Sequence, residues 1–223
     1  MLPSQTVENY LKTIFLAQVA LSDDDALVPM GQISASLGVV PGTATTMIKT
    51  LAESGLVHYE PYLGVRLTAA GEKLAGLVIR RHRLIELFLV KHLGMSWAEV
   101  HDEAERLEHA VSERLIDRID EMLGRPVVDP HGDPIPTPEG RLPRVESVQL
   151  PNAPEHVALV VTRVTDQDPE FLRFVEQREL VPGRPVTVIG RDAAGETLQL
   201  QGERSARTTI GLRAASKILV RPA

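Results

Sequence analysis

The sequence contains no cysteine. A disulfide framework, a thiolate-bound zinc site and a cysteine nucleophile are therefore excluded. The chain also lacks a run of roughly 20 apolar residues, the length that a helix needs to cross a bilayer. Its first residues show no basic region followed by an apolar run, which a secretory signal requires. We therefore expect a cytoplasmic protein that has no membrane partner.

Positive charge is also scarce. The 223 residues carry 24 Lys and Arg against 30 Asp and Glu, a formal net charge of −6. When the chain is divided into residues 1–75, 76–140 and 141–223, only the last part has a net positive charge, with 12 Lys and Arg against 10 Asp and Glu. A chain with this balance can bind DNA only through a local basic surface, or through positive charge that it acquires from something it binds.

Residues 30–73 carry the pattern of a winged helix-turn-helix. The apolar spacing predicts a short helix that Gly38 ends and a second helix that begins at Pro41 and stops at Gly55. Apolar and polar residues alternate on either side of "YLG", and this pattern predicts a two-stranded hairpin. An ordinary helical pair followed by a chance hairpin is the alternative. One further helix precedes them, in "TVENYLKTIFLAQVAL", with Thr6 as its N-cap.

Two helical segments follow. The stretch "LTAAGEKLAGLVIRRHRLIELFLVKHLG" has an apolar stripe at helical spacing. Its arginines, Arg80, Arg81 and Arg83, are interpreted as a solvated face. The stretch "VHDEAERLEHAV" opens the next helix, which we expect to run to Leu123.

The last third of the chain has a different composition. Five prolines between Pro126 and Pro138 mark a domain boundary or an ordered linker. Short β-type runs beyond it predict a small barrel of about five strands, interrupted by the helical insert "DPEFLRFVEQREL". We therefore expect three domains, over residues 1–73, 74–142 and 143–223, and a mainly α fold with a small β part.

The stretch "VHDEAERLEHAV" sorts its side chains by helix face. At about 100° per residue, His101, Glu105, Glu108 and His109 share one arc of about 100° beside the apolar stripe. Carboxylates at a half-buried seam call for a cation. A divalent metal answers this need, because the local Arg106 points elsewhere. A helix whose histidines merely pack is the alternative.

Four donors spread along a straight helix do not readily bind a single ion, so we expect two metal sites. His82 and Glu86, at i and i+4 on the preceding helix, supply partners for His101. The second centre then consists of Glu105, Glu108 and His109. His131 has no partner at a suitable spacing and is interpreted as a surface or packing residue.

These residues carry a resemblance to the diphtheria toxin repressor family of metal-dependent transcription factors, which includes manganese transport regulators. The stretches "TVENYLKTIF", "GTATTMIKTLAESGLV", "RHRLIE", "VHDEAERLEH" and "HGDPIP" occur in family order, and the match covers nearly the whole chain. It implies a winged helix that reads an operator in double-stranded DNA, middle helices that form a homodimer, and a C-terminal SH3-like (FeoA-like) barrel.

The resemblance also implies two ligand sets. The family's ancillary metal site maps onto His82, Glu86 and His101, completed from the barrel by Gln167 and Glu170 or by the neighbouring Asp166 or Asp168. Its primary site maps onto Asn9, Glu105, Glu108 and His109. Iron-responsive members have cysteine at the position of Glu105 and methionine at that of Asn9. Manganese-responsive members carry a carboxylate in place of that cysteine and a second acid at the position of Lys12, which this chain lacks.

The donor chemistry favours Mn(II). Carboxylate and amide oxygens suit this ion, whereas thiolate and thioether ligands favour softer metals. Fe(II) is the alternative. We expect a repressor of manganese or iron homeostasis genes, with the ion as a corepressor that fixes the dimer on its operator, and not an enzyme. The alternatives are a carboxylate/His metalloenzyme, for which Glu-x-x-His motifs are missing, and a winged-helix regulator that senses an organic ligand.

The stretch "PGTATTMIK" is the candidate for DNA contact. Short hydroxyls and methyls can reach base edges, and a lysine can reach a phosphate. The expected residues are Gly42, Thr43, Thr45, Thr46 and Lys49, with Tyr62 and Arg66 added from the hairpin. The alternative is that the threonines merely cap and solvate the helix.

Overall fold

The computed structural model describes residues 4–21, 26–143, 145–202 and 207–223. Its helices are α1 (Gln5–Val19), α2 (Met30–Ser36), α3 (Pro41–Glu53), α4 (Ala69–Leu93), α5 (Val100–Leu107), α6 (Glu113–Met122), α7 (Pro169–Glu176) and α8 (Leu212–Ala215). Its strands are β1 (Val57–Glu60), β2 (Gly64–Leu67), β3 (Val148–Gln149), β4 (Leu159–Val164), β5 (Pro185–Asp192), β6 (Thr197–Gly202), β7 (Thr208–Gly211) and β8 (Ile218–Pro222). The chain forms two compact units, one of Met1–His82 with Pro136–Pro143 and one of Arg83–Ile135 with Arg144–Ala223.

Helix α1 of the first unit begins earlier than its apolar pattern predicts. The side chain of Ser4 accepts a hydrogen bond from the backbone N–H of Val7, 3.4 Å away. Ser4 is therefore the N-cap, and the prediction of Thr6 was wrong, because either hydroxyl can cap a helix and only backbone geometry decides between them. The helix buries Leu11 and Ile14 completely.

The helix-turn-helix forms as predicted. Gly38 and Gly55 follow α2 and α3 with φ of +62° and +71°, a left-handed conformation that glycine adopts without steric cost. Pro41 stands at the start of α3, where no backbone N–H is needed. The inner face of α3 is buried through Ile48 and Leu51.

Strands β1 and β2 form the predicted antiparallel hairpin, paired from Val57 with Leu67 to Glu60 with Gly64. Gly64 is required by close packing. A Cβ at this position would lie 2.5 Å from the carbonyl oxygen of Val28, which bridges to Val65. The hairpin tip carries Tyr62, fully exposed and at a φ of +67°.

The helix expected to run from Val100 to Leu123 is two helices, and that prediction was wrong. Helix α5 ends at Leu107, and Ser112 caps the start of α6 by accepting from the N–H of Leu115 at 3.4 Å. The apolar positions keep a helical spacing across the break, so periodicity alone could not reveal it. Both helices pack against the second half of α4 through Leu84, Val100 and Ile116.

The three arginines of α4 are buried, which corrects the interpretation of a solvated face. Their exposed fractions are 7% for Arg80, 4% for Arg81 and 6% for Arg83. In the first unit, Arg80 donates to the carbonyl oxygen of Pro136 at 2.8 Å; in the second, Arg83 donates to that of Pro134 at 2.5 Å. A proline-rich segment has few N–H groups with which to pair its own carbonyls, so other donors must satisfy them.

Within the part of the chain that the structure describes, the C-terminal sheet has six antiparallel strands in the order β3-β8-β4-β5-β6-β7. The expected number was about five, and the two-residue strand β3 is too short to show a period-2 pattern. Leu159, Val161 and Val220 are fully buried in the barrel core. The predicted helical insert is α7, for which Asp168 is the N-cap.

None of the helices in the described residues is both long and apolar enough to cross a membrane.

Candidate metal centres and DNA interface

Helix α4 places His82 and Glu86 one turn apart on a continuous helix, and α5 supplies His101. His82 belongs to the first unit, and Glu86 and His101 belong to the second. Nδ1 of His101 is 3.3 Å from Oε1 of Glu86. Glu86 is completely buried, and a buried carboxylate beside an imidazole is a donor pair that suits a divalent ion.

Glu108 and His109 lie together just beyond the end of α5. Nε2 of His109 is 3.3 Å from Oε1 of Glu108, and only 1% of the Glu108 side chain is exposed. Burying a carboxylate is costly unless a cation or several donors compensate it. Glu105 differs, because 54% of its side chain is exposed and its Oε1 lies 3.8 Å from Nε2 of His101.

Asn9 is half-buried on α1 of the first unit. Its neighbour Glu8 is 5% exposed and pairs with Arg81 of α4, with 2.6 Å between Oε1 and Nη2. One turn further along α1, Nζ of Lys12 lies 3.3 Å from Nδ1 of His82. The polar residues of α1 therefore meet α4 at the point where α4 carries its first candidate ligand.

A second group around Glu86 was missed from the sequence. Glu86, Asp129 and His131 each offer a ligand atom within 4.8 Å of the others, and all three are buried. Nδ1 of His131 is 3.8 Å from Oε2 of Glu86 and 4.0 Å from Oδ2 of Asp129. His131, interpreted as a surface or packing residue, is completely buried and packs its ring against Trp97, so the surface alternative was wrong.

The other nitrogen of His131 has a backbone partner. Nε2 lies 2.8 Å from the carbonyl oxygen of Trp97 and donates to it. Histidines that bind metals usually donate their second N–H to a carbonyl or carboxylate, which fixes the ring. Nδ1 of His131 and Oδ2 of Asp129 make no hydrogen bond among the described residues. The group therefore fits a metal ion, and the Asp-x-His spacing in "DPHGD" was the available signal.

Protons take the place of a cation in this group when no metal is bound. Burial alone lowers the pKa of His131, but the carboxylates of Glu86 and Asp129 outweigh it and raise that pKa to about 9. Burial, and then the charges of Asp133 and Glu86, raise the pKa of Asp129 to about 8. Both shifts follow from confining three acids in a low-dielectric interior.

The barrel residues implied as ancillary ligands make other contacts. Nε2 of Gln167 donates to Oδ2 of Asp133 at 3.0 Å. Glu170 is exposed in the first turn of α7, and its backbone N–H bonds to Asp168. Asp133 also pairs with Arg163 of β4. Glu86 itself faces His101 of α5 and His131 of the proline-rich segment.

The candidate DNA-contact residues of α3 are mostly exposed. Gly42, Thr43, Thr46 and Lys49 are exposed, and Thr45 is half-buried. The hydroxyls of Thr45 and Thr46 donate to the carbonyl oxygens of Pro41 and Gly42, at 2.9 and 3.0 Å. These threonines therefore present methyl groups and acceptor lone pairs outward. In the hairpin, Tyr62 is fully exposed and Arg66 is half-buried.

Three family models match successive parts of the chain. Residues 3–65 match the N-terminal DNA binding domain of the iron dependent repressors. Residues 68–137 match their metal binding and dimerisation domain, and residues 148–222 match the FeoA domain. The iron-dependent repressor IdeR of Mycobacterium tuberculosis is 30% identical over 213 residues, covering 90% of each chain.

The chain belongs to the iron-dependent repressor family. The expected fold class is thereby confirmed: an N-terminal DNA-binding domain, a helical dimerisation domain and a C-terminal FeoA barrel. Members of this family are metal-dependent transcriptional regulators. The protein is therefore a transcriptional regulator and not an enzyme, and the metalloenzyme alternative is excluded.

Solved structures of repressors resemble the whole chain. One, described as a manganese-dependent transcriptional repressor complex with manganese, is 39% identical with a TM-score of 0.88, covering 97% of this chain and all of that one. The repressor ScaR with bound Cd²⁺ is 30% identical with a TM-score of 0.78, covering 99% of this chain and all of ScaR.

Proposed function

We propose that this iron-dependent repressor family member binds operator DNA in the cytoplasm as a homodimer when Mn(II), or alternatively Fe(II), occupies its metal centres. The observation that carries the proposal is the set of oxygen and nitrogen donors on α4 and α5, in which His82 and Glu86 are buried. Without a thiolate in the chain, hard donors must do the binding, and these suit Mn(II).

The primary centre of this proposal comprises Asn9, Glu105, Glu108 and His109. Glu108 is buried and His109 lies 3.3 Å from it, whereas Glu105 is exposed enough to turn toward an ion. When bound, the ion supplies positive charge and fixed directions of coordination. Asn9 contributes an amide oxygen from α1, so that the DNA-binding domain and the dimerisation domain share one centre.

The ancillary centre of this proposal uses His82, Glu86 and His101. Glu86 also faces Asp129 and His131, so the remaining ligands can come from this pair. The resemblance instead assigns that part to Gln167 and Glu170. Geometry favours Asp129 and His131, because Gln167 donates to Asp133 and Glu170 is exposed.

The mechanism couples these centres to operator recognition. We assign DNA binding to residues 1–73, dimerisation and metal binding to residues 74–142, and the barrel to residues 143–223. Asn9 on one domain and Glu108 on the next restrict how the two domains move once they share a ligand set. In a dimer, this restriction holds two recognition helices at a separation that fits successive major grooves.

The recognition surface of this proposal is the outward face of α3 with the hairpin tip. Lys49, Thr43 and Thr46 are exposed. In this proposal Lys49 contacts a phosphate, and the methyl groups of Thr43 and Thr46 contact base edges. Tyr62 and Arg66 add contacts to the backbone. Thymine methyls are the natural partners of these threonine methyls, so we expect an operator rich in A/T pairs.

Operator binding across metals tests the proposal. We expect fluorescence anisotropy with a labelled operator to show tight binding with Mn(II) or Fe(II) and weak binding with excess chelator, at fixed ionic strength. Glu105→Cys should shift the preference toward Fe(II), because a thiolate is a softer ligand than a carboxylate. Operator affinity that is the same with every metal and with chelator would refute the proposal.

A further inference from the structure

Lys12 and His82 form a contact that bears on how metal enters the ancillary centre. Lys12 is half-buried on α1, and its Nζ lies 3.3 Å from Nδ1 of His82. Both residues belong to the first compact unit. His82 precedes Glu86 by one turn of α4 and is a ligand of the proposed ancillary centre.

The chemistry of the two groups fixes the protonation of the ring. A lysine ammonium carries three donors and no acceptor. Nδ1 of His82 must therefore be the acceptor, and the ring proton is on Nε2.

Metal binding at His82 breaks this hydrogen bond whichever nitrogen is used. An ion at Nδ1 takes the lone pair that the ammonium occupies. An ion at Nε2 displaces the ring proton, and a neutral ring then carries its proton on Nδ1, where it faces the ammonium of Lys12. Two donors cannot bond to each other, so the contact is lost in either case.

The positive charge of Lys12 also opposes metal binding at His82. An ammonium beside His82 repels a dication at the same imidazole, and the partial burial of Lys12 weakens the screening by water. The neighbouring Glu8–Arg81 pair, 2.6 Å long and buried, joins the same two helices. Helix α1 thus stays attached to α4 when Lys12 is displaced.

We propose that Lys12 is a built-in competitor of the metal ion for His82, and that it sets the metal concentration at which the ancillary centre fills. This inference rests on the proposed function, since it requires His82 to be a ligand. Lys12 is then an affinity-determining residue: it stands next to the centre and lowers its occupancy at low metal.

The test compares Lys12→Met with Lys12→Arg in the full-length, metal-stripped protein. Mn(II) binding is measured by the electron paramagnetic resonance signal of free Mn(II), at constant pH and ionic strength. Removing a charge-assisted hydrogen bond and its repulsion should tighten binding at the ancillary centre by about ten-fold in Lys12→Met. Lys12→Arg keeps the positive charge and an N–H donor, so it should bind Mn(II) less tightly than Lys12→Met does.

A background variant identifies the site of action. In His82→Gln, replacing Lys12 by Met should leave Mn(II) affinity unchanged, because the competed ligand is gone. Tightening by the same factor in that background, or no tightening in Lys12→Met alone, would overturn the inference. Thermal denaturation with chelator checks folding, and Lys12→Gln replaces Lys12→Met if the latter unfolds.

The same titrations separate this inference from the proposed function. Wild-type protein that binds no Mn(II) and no Fe(II) would contradict both. Wild-type protein that binds Mn(II) with an affinity indifferent to residue 12 would contradict the role of Lys12 alone.

Discussion

The imidazole ring of His131 faces acceptor oxygens at both of its nitrogens. Nε2 faces the carbonyl oxygen of Trp97, and Nδ1 faces the carboxylates of Glu86 and Asp129. The ring also stacks on Trp97 with 5.5 Å between centroids. A ring held in this way can carry either a proton or a metal ion toward the two carboxylates with little movement.

Protonation of His131 makes the stability of the metal-free protein depend on pH. Its folded pKa of about 9 lies above the value of about 6.5 for an unfolded histidine. Its stabilising contribution is therefore complete below about pH 6.5 and is lost as the pH rises through the folded pKa. Asp129, with a folded pKa raised to about 8, acts in the same direction and over a window that begins at lower pH.

We expect the free energy of unfolding, measured by urea denaturation with chelator, to fall between about pH 6.5 and 9. His131→Gln should flatten the upper part of this profile, because it removes one of the two protons. A wild-type profile that is level over this range would show that His131 is neutral in the folded protein.

Helix α4 carries two residues of the proposed ancillary centre, His82 and Glu86, and its first half is packed closely against the proline-rich segment. A Cβ at Gly76 would lie 2.0 Å from the carbonyl oxygen of Gly140. Glycine in a helix ordinarily costs about 1 kcal/mol relative to alanine. Here the close approach of two backbones requires it.

Gly76→Ala should therefore destabilise the protein, by about 1–3 kcal/mol as is typical of overpacking. The matched control is Gly31→Ala in α2, where a Cβ would meet nothing within 4 Å. That change should be neutral or should stabilise by up to about 1 kcal/mol. Urea denaturation of both variants measures the difference, and equal effects would contradict the packing argument.

At the level of elements, local signals predicted most boundaries. Gly38 and Gly55 ended their helices as expected, because a left-handed residue is a local requirement. The break between Leu107 and Glu113 was not predicted, since apolar spacing continues across it. Ser112 ends up as an N-cap there, although the same residue could equally have been a solvated position within one helix.

At the scale of the whole molecule, metal and operator bind to a chain with a net charge of −6. In the proposed mechanism, each bound dication would reduce the repulsion between protein and phosphates, and the primary centre would restrict the DNA-binding domain. These effects are a coupling free energy between two sites, and such coupling is reciprocal.

We expect Mn(II) to raise operator affinity, and operator DNA to raise Mn(II) affinity, by the same factor. Anisotropy with and without Mn(II) gives one branch of the cycle, and calorimetric Mn(II) titration with and without operator gives the other. Unequal factors would indicate a further linked equilibrium, such as a change in dimerisation. A factor of one on both branches would contradict the corepressor mechanism.

The sequence alone determined the helix-turn-helix, the hairpin, the barrel and the donors that share a helix, because turn residues and helical spacing are local properties. His82 and Glu86 were paired in advance for this reason. Only the tertiary structure decided that Asp129 and His131 reach Glu86, that the arginines of α4 serve the carbonyls of a proline-rich segment, and that Lys12 meets His82. Those contacts join residues far apart in the chain, and their distances depend on how the buried faces pack.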